Sequence, residues 1–486
     1  MSDIHLVSAT ELARRIREGI TTSEALVEDA IRSVEALNPT LNAMVATRFD
    51  EARAEAKAAD AHIREHGTRD LPPFHGVPCT IKECFEFVGM PNTTGLKARA
   101  EWRPERDATA VARYRAAGAI PLGVTNTSEL CMWMESDNRL YGRTNNPYDA
   151  TRTVGGSSGG EGALVGAGAL AFGLGSDVGG SIRMPAFFNG IFGHKPSSGL
   201  IPNSGQFPPA EGRTLRYLTT GPMCRRAEDL WPLVQVLRGP DGIDAACSER
   251  ELGNPEDVNF AELRVISVET NHVRTPSKEL LGAQREALAA LADAGAKTET
   301  RAIKEFRKSM SYWSTMLGSS NAVPFAESLG VVGFTNQLAE LAKLAVGRSD
   351  HTLPALLLAI IEGPAGAGRP SADKIIRHGE RFRDELNAIL GKDGIMLFPS
   401  YPMTAPRHGY AQLRIIDWLY TAIFNVMELP VTQVPLGLDA RGLPLGVQVV
   451  GAHGNDHLTV ATALELERRF GGWQPPNLLK QHGFLD

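Results

Sequence analysis

Two serines, Ser157 and Ser181, lie within residues 153–184, the most glycine-rich stretch of the chain (TVGGSSGGEGALVGAGALAFGLGSDVGGSIRM). Eleven residues of this stretch are glycine. Glycine is needed where the backbone adopts a positive φ or closely approaches a ligand, and this density exceeds what ordinary turns require. Backbone N–H groups exposed in such loops can bind an anion, either a phosphate or the oxyanion of an acyl-transfer reaction.

Three interpretations of this stretch compete. A phosphate-binding loop needs the pattern G-x-x-x-x-G-K-[ST], and no lysine follows these glycines. A nucleophile elbow, G-x-S-x-G, matches at Ser157 and at Ser158, but it requires a preceding apolar strand, whereas NNPYDATRT is polar. The third interpretation fits best: two serines on neighbouring glycine-rich loops share one reaction centre with a distant lysine.

Lys82 is the candidate for that lysine. Alternate residues from Val77 to Ile81 are apolar, which predicts a short buried strand ending at Lys82. A serine hydroxyl is a weak nucleophile and needs an adjacent base. A lysine is a base only when it is neutral, and an apolar site away from acids favours the neutral amine. A Ser–His pair with His75 or His194 is the less favoured alternative.

Four segments resemble the amidase signature family. They are GVPCTIKE (76–83), GGSSGGE (155–161), GSDVGGSIRMPAFFNGIFGHKPS (175–197) and GLPLGVQVVG (442–451). The resemblance runs in the family's order through roughly residues 65–475. It implies an enzyme that hydrolyses amides through an acyl-enzyme and that needs no metal and no cofactor.

The resemblance also implies a role for each group of site residues. The catalytic residues are the nucleophile Ser181, the bridging serine Ser157, which is held by a cis peptide bond, and the base Lys82. The oxyanion hole consists of backbone N–H groups, those of Val178, Gly179, Gly180 and Ser181. The supporting positions are Ser158, Asp177 and Arg183, and we expect Asp177 and Arg183 to form an ion pair that holds the loop.

The segments 125–149 and 455–461 are most similar to the fatty-acid amide hydrolase branch of this family. The resemblance places four consecutive residues beside the acyl site as a substrate-binding wall, namely Cys131, Met132, Trp133 and Met134. The alternative is that these four side chains are ordinary core.

A second apolar wall is predicted in residues 303–361. Trp313, the candidate substrate-binding residue there, shares a helical face with Met316 and Leu317. The same segment contains other large apolar side chains, namely Met310, Tyr312, Phe334 and Leu338. Packing of this face against the body of the protein is an equally weighted alternative.

The pattern along the chain favours an α/β fold with a large mixed β-sheet core flanked by helices. Helical patterns and short apolar strands alternate after residue 65, which is typical of such folds. We expect a single amidase domain over residues 1–486. Residues 1–65 are predicted to be N-terminal helices, and residues 303–380 a helical, substrate-shaping insertion.

Composition excludes several other classes. The net charge is −6 without a basic block, which argues against a nucleic-acid partner. The five cysteines form no C-x-x-C pair, so a disulfide framework or structural zinc site is not expected. There is no signal-peptide pattern and no apolar run long enough for a membrane span, so we expect a cytoplasmic protein. The family suggests a homodimer.

The leading functional hypothesis is an amidase that favours apolar acyl or aryl groups. Esters and carbamates (urethanes) are further substrates that the same acyl chemistry serves. One alternative is an amidotransferase subunit that generates ammonia for a partner protein, and another is a binding protein with an inactive site. The sequence lacks a long basic extension that would face such a partner.

Overall fold

The computed structural model describes residues 3–319, 323–365 and 372–485. A mixed sheet of eleven strands, flanked by helices, confirms the predicted α/β fold. The strands, in chain order, are β1 Met44–Thr47, β2 Pro78–Lys82, β3 Ile120–Thr125, β4 Asp137–Asn138, β5 Gly142–Arg143, β6 Phe172–Asp177, β7 Phe192–Lys195, β8 Thr219–Cys224, β9 Arg264–Ser267, β10 Lys297–Thr300, β11 Gly394–Phe398, β12 Val431–Leu438 and β13 Pro444–Gly451. Their order across the large sheet is β1-β3-β2-β6-β8-β7-β12-β13-β11-β9-β10, and β4 pairs with β5 separately.

The helices precede, separate and follow these strands, and several of them lie in the long segment before β11. In chain order they are α1 Ala9–Arg17, α2 Ser23–Leu41, α3 Phe49–His66, α4 Thr109–Ala116, α5 Gly159–Gly166, α6 Arg183–Phe188, α7 Thr214–Tyr217, α8 Leu230–Leu237, α9 Lys278–Asp293, α10 Ser309–Gly318, α11 Phe325–Ser328, α12 Phe334–Ala345, α13 Leu353–Ala365, α14 Ala372–Leu390, α15 Tyr410–Leu413, α16 Leu419–Val426, α17 Asp456–Phe470 and α18 Asn477–Gln481.

The largest apolar core lies between the sheet and several of these helices. It includes Ile81 of β2 and Leu174 of β6, together with side chains of α8, α9 and α17, namely Leu233, Leu291 and Leu466. All five side chains are fully buried. Full burial of a leucine or isoleucine contributes about 1.5–3 kcal/mol, so this core fixes the positions of β2 and β6.

Strands β2 and β6 are parallel neighbours in the interior of the sheet. Thr80 pairs with Gly173, and Ile81 pairs with Leu174. Because the carboxyl ends of parallel neighbours meet at the same edge of a sheet, Lys82 lies beside Ser176. Long-range strand pairing therefore brings together two chain segments that are more than ninety residues apart.

The N-terminal region differs from the sequence prediction in one element. Residues 1–65 were expected to be helices alone, but β1, Met44–Thr47, lies between α2 and α3 and pairs antiparallel with β3. Helix α2 ends at Asn42, which has a positive φ of 49°. A strand of four residues is too short for a period-2 pattern to be recognised in the sequence. This strand is defined by its pairing with β3.

The described parts of residues 303–380 are helical, as predicted. They include α10 to α13 and the first part of α14, while residues 320–322 and 366–371 lie outside the described structure. Helix α10 packs against α14 and α16. The substrate-shaping role of this insertion stays a prediction.

Among the described helices, none has the length and apolar character needed to cross a bilayer.

Candidate active site

Lys82 lies at the carboxyl end of β2 and is fully buried. Its Nζ atom donates a hydrogen bond to Ser157 Oγ at 2.7 Å and another to Ser176 Oγ at 2.9 Å. The Gly156–Ser157 peptide bond is cis, as the resemblance implies. The predicted base and the predicted bridging serine are thus in direct contact.

A buried carboxyl group, Glu161, lies in the first turn of α5 near this lysine. Its oxygens accept hydrogen bonds from Thr80 Oγ1 at 2.6 Å and from Thr125 Oγ1 at 2.7 Å. Burial raises the pKa of Glu161 to about 7, although the two threonines and the charge of Lys82 act in the opposite direction. The expectation that Lys82 lies away from acids therefore needs correction: an acid is nearby, and burial favours its neutral form.

Ser181 follows β6 and precedes α6, and its residue is only 8% exposed. The Ser158 N–H donates to the Ser181 carbonyl at 3.1 Å, which ties the two glycine-rich loops together. No hydrogen bond joins Ser157 Oγ to Ser181 Oγ among the contacts of the described residues. Such catalytic contacts often shorten only when substrate binds. The fold places all three predicted catalytic residues together and joins two of them directly.

Ser158 and Ser176 also hold each other. Ser158 Oγ donates to the Ser176 carbonyl at 3.3 Å and accepts from the Ser176 N–H at 3.4 Å. Ser158 therefore supports the strand that supplies the second partner of Lys82.

The four predicted oxyanion donors are not equivalent. The Gly180 N–H donates to Asp177 Oδ1 at 2.7 Å. Within the described structure, no hydrogen bond uses the N–H groups of Val178, Gly179 or Ser181. These three donors are consequently available for an oxyanion, whereas the Gly180 donor is already engaged.

Asp177 and Arg183 form a fully buried ion pair, with Arg183 Nη2 lying 3.0 Å from Asp177 Oδ1. Arg183 also donates to the side-chain oxygens of Gln448 at 2.8 Å and Asn425 at 2.7 Å. Burial alone would raise the pKa of Asp177, but the charge and hydrogen bonds of Arg183 outweigh it and hold this pKa well below its usual range. The ion pair anchors the loop to α16 and β13.

The predicted wall at residues 131–134 lies at the site. Cys131 is half-buried, and its thiol contacts Cys84 and Ser157. Trp133 and Met134 belong to an apolar cluster that also contains Tyr401 and Trp418. Met132 is half-buried and is not part of this cluster.

The second predicted wall is divided. Trp313 is half-buried, its indole ring packs edge-to-face on Trp418 with centroids 4.5 Å apart, and its Nε1 atom donates to the Val178 carbonyl at 2.9 Å. Trp313 and Leu317 also pack against the apolar core that contains Tyr312 and Met316. The other large apolar side chains of the segment, Met310, Phe334 and Leu338, are exposed. Trp313, Met316 and Leu317 therefore share one packed helical face, as their spacing predicts, and their part in a substrate wall stays a prediction.

Neither histidine considered as a base lies next to the serines. His75 Nε2 contacts the Ala59 carbonyl at 3.1 Å. His194 contacts Asp456 and Thr432 in the core. These partners account for both rings, so a Ser–His pair finds no support.

Sequence reasoning missed three residues at this site, namely Ser176, Glu161 and Trp418. Ser176 and Glu161 lie within the glycine-rich stretch, but their partners come from other strands. Trp418 directly precedes α16 and lies against the loop, as shown by the distance of only 3.1 Å between its ring and a Cβ atom placed at Gly179. The sequence offered only one indication for Ser176 and Glu161, namely that each is a polar residue inside the glycine-rich stretch.

Known proteins share the sequence pattern and the fold of this chain. The amidase family model matches residues 25–460. The chain is 46% identical to fatty-acid amide hydrolase 2-A of Danio rerio, over 97% of this chain and 90% of that protein. It is 30% identical to a glutamyl-tRNA(Gln) amidotransferase subunit of Oleidesulfovibrio alaskensis, over 97% of this chain and 99% of that protein. It is similar to the solved structure of 6-aminohexanoate cyclic dimer hydrolase with substrate, with a TM-score of 0.82 and 26% identity over 98% of this chain and 100% of that chain.

The fold and the matched motifs define a hydrolase that acts on carbon–nitrogen bonds other than peptide bonds. The chain belongs to the amidase family.

Proposed function

We propose that this protein hydrolyses amides through an acyl-enzyme formed on Ser181, with Lys82 as base and Ser157 as the bridging group. The observation that carries this proposal is the 2.7 Å hydrogen bond between Lys82 Nζ and Ser157 Oγ in a fully buried position. A general base must lie within hydrogen-bond reach of the proton that it accepts, and this contact places Ser157 within that reach of Lys82. The link from Ser158 to the Ser181 carbonyl supports placing Ser181 in the same centre.

The proposed reaction has two halves. Ser157 takes the proton of Ser181 and passes its own to Lys82, while Ser181 Oγ attacks the amide carbonyl. The N–H groups of Val178, Gly179 and Ser181 stabilise the tetrahedral oxyanion, and losing one such donor typically costs about 10²–10³ in rate. The proton then returns through Ser157 to the leaving amine. Water, activated along the same route, releases the acid.

We propose that the acyl or aryl group is apolar. Trp313 and Trp418 lie against the loop that contains Ser181, and Trp133 and Met134 belong to the same apolar cluster as Trp418. Apolar pockets with a few polar groups are typical of small-molecule sites. A fatty-acid amide hydrolase among the relatives favours the same substrate class. Esters and carbamates are proposed as further substrates because their acyl step is the same.

Covalent labelling tests the nucleophile. A fluorophosphonate should modify Ser181 alone in the native enzyme, as mapped by mass spectrometry of its peptides. Ser181→Ala should abolish labelling and serve as the blank in every assay. Modification of Ser157 or Ser158 with Ser181 unmodified would overturn the assignment.

A chain-length series tests the substrate class. We would measure kcat/KM for acyl anilides from acetyl to decanoyl. Each added methylene should help by up to about 0.8 kcal/mol until the pocket is full. A flat or falling profile would leave a small-amide enzyme as the better assignment.

The amidotransferase alternative has no specific structural observation in its favour, and the relative of that kind is the more distant of the two. Turnover of a simple anilide by the purified chain alone would exclude dependence on a partner protein. Glutamine-dependent ammonia release that appears only with a partner would support the alternative.

A further inference from the structure

The loop at residues 178–181 is held by its carbonyl groups. The Val178 carbonyl accepts a hydrogen bond from Trp313 Nε1 at 2.9 Å. The Gly179 carbonyl accepts one from Thr421 Oγ1 at 2.8 Å. Two successive carbonyls are therefore fixed by side chains from distant parts of the chain.

The next two carbonyls of the loop are fixed by backbone donors. The Gly180 carbonyl accepts from the Met184 N–H at 2.8 Å, and the Ser181 carbonyl accepts from the Ser158 N–H at 3.1 Å. Every carbonyl from Val178 to Ser181 therefore has a donor.

The direction of a carbonyl determines the direction of the following N–H group. In a planar trans peptide the C=O of one residue and the N–H of the next point in opposite directions. The bond from Trp313 to the Val178 carbonyl therefore also orients the Gly179 N–H. That N–H is one of the donors left free for an oxyanion.

Trp313 comes from a different part of the chain than the other three donors. Thr421 lies in α16, and Ser158 and Met184 lie in the glycine-rich region, whereas Trp313 lies in α10 of the insertion. The Trp313 ring is itself fixed by its edge-to-face contact with Trp418 at 4.5 Å. A fixed donor holds the peptide in one orientation.

The packing around position 179 leaves little space for a side chain. A Cβ atom there would lie 3.1 Å from the Trp418 ring and 3.6 Å from the Trp313 ring. The two indole rings therefore lie directly against the backbone of the loop.

We propose that Trp313 is a positioning residue that orients the Gly179 N–H toward the oxyanion through its hydrogen bond to the Val178 carbonyl. This inference rests on the proposed function, in which the Gly179 N–H is an oxyanion donor. It gives the helical insertion a direct effect on the rate of the chemical step. A residue that only lines the pocket would instead affect substrate affinity.

The substitution Trp313→Phe tests the inference, since it keeps an aromatic ring but removes the N–H donor. We expect kcat to fall by about tenfold, which is the size of one net hydrogen bond, with KM nearly unchanged at every acyl length. An interaction realised only in the transition state lowers kcat and kcat/KM equally. The affinity for an alkyl trifluoromethyl ketone, which forms a tetrahedral adduct with serine, should fall by the same factor.

Trp473→Phe is the matched control. Trp473 Nε1 donates to the Gly166 carbonyl at the same 2.9 Å distance, so this variant loses an equivalent bond away from the loop. Its kcat should stay within about twofold of the native value. Equal losses in both variants, or a change in KM alone for Trp313→Phe, would overturn the inference.

Fluorophosphonate labelling separates this inference from the proposed function. Labelling of Ser181 in both the native enzyme and Trp313→Phe, together with unchanged kcat, would overturn the positioning role alone. A native enzyme without label on Ser181 would overturn the proposed function and the inference with it.

Discussion

The catalytic centre and the helical insertion differ in how far their side chains are exposed. Lys82, Ser157 and Arg183 are at most 1% exposed, and each polar group has defined hydrogen-bond partners. In the insertion, by contrast, Phe334 and Val346 are 66% and 68% exposed. The insertion is anchored by buried apolar side chains and by local polar contacts, such as the two hydrogen bonds of 2.8 Å that Glu129 accepts from the Thr352 N–H and hydroxyl groups.

This difference has an energetic consequence. Burying a polar group costs several kcal/mol unless it is hydrogen-bonded, so each member of the centre depends on the others. Exposed apolar side chains carry no such dependence, and surface substitutions usually change stability by less than about 0.5 kcal/mol. Substitutions in the catalytic centre are therefore expected to be costly. Exposed positions of the insertion can be substituted while Trp313 keeps its contact with the centre.

The largest expected effect is the loss of the base. Lys82→Ala should lower kcat/KM for amides by about 10⁴-fold while the protein still folds, because losing one member of a coupled catalytic unit typically costs this much. Lys195→Met is the control, since Lys195 is also buried but donates to the Pro196 carbonyl. Its folded fraction should retain kcat within a few-fold. If Lys82→Ala keeps more than about a tenth of native activity on amides, the assignment of the base is wrong.

The next effect concerns the stability of the centre. Arg183→Met leaves Asp177 buried without its ion-pair partner, and breaking such a pair costs about 3–5 kcal/mol. Arg285→Met removes an exposed ion pair with Glu269 and should cost less than about 1 kcal/mol. Urea unfolding of both variants measures the two losses. Similar losses would mean that burial does not distinguish the two ion pairs.

A third, pH-dependent effect is expected from Glu161. Burial raises its pKa in the folded protein to about 7 from 4.5, so the folded state binds this proton more tightly than the unfolded chain does. The resulting stability is present below about pH 4.5 and is lost as the pH rises through about 7. The total is on the order of 3 kcal/mol.

Glu161→Gln should therefore flatten the dependence of unfolding free energy on pH between about 5 and 8. Glu286→Gln, at an exposed position, serves as the control and should leave the curve unchanged. An equally steep curve in Glu161→Gln would show that other carboxyl groups dominate this range.

The smallest effect is expected on the exposed surface of the insertion. Phe334→Ala should change the free energy of unfolding by less than about 0.5 kcal/mol. Phe306→Ala is the matched contrast, because Phe306 is fully buried against Phe382 and Phe398 and should cost about 3–5 kcal/mol. Thermal or urea unfolding of both variants would show whether the insertion combines buried anchoring side chains with a surface that tolerates substitution.

The sequence alone was sufficient for the fold class, and it nominated three candidate catalytic residues whose roles stay a prediction. Alternating apolar residues predicted strand β2 and placed Lys82 at its end. Glycine density and serine spacing predicted the two loops that contain Ser157 and Ser181. These inferences succeeded because local patterns carry information about a strand or a turn within a few residues.

Tertiary structure alone decided the contacts that shape the site. Pairing of β2 with β6 gave Lys82 its second partner, Ser176, and α10 brought Trp313 to Val178, 135 residues away in the chain. The engagement of the Gly180 N–H by Asp177 likewise depends on the loop conformation rather than on residue type. Such contacts depend on how separate elements pack, and no local pattern contains that information.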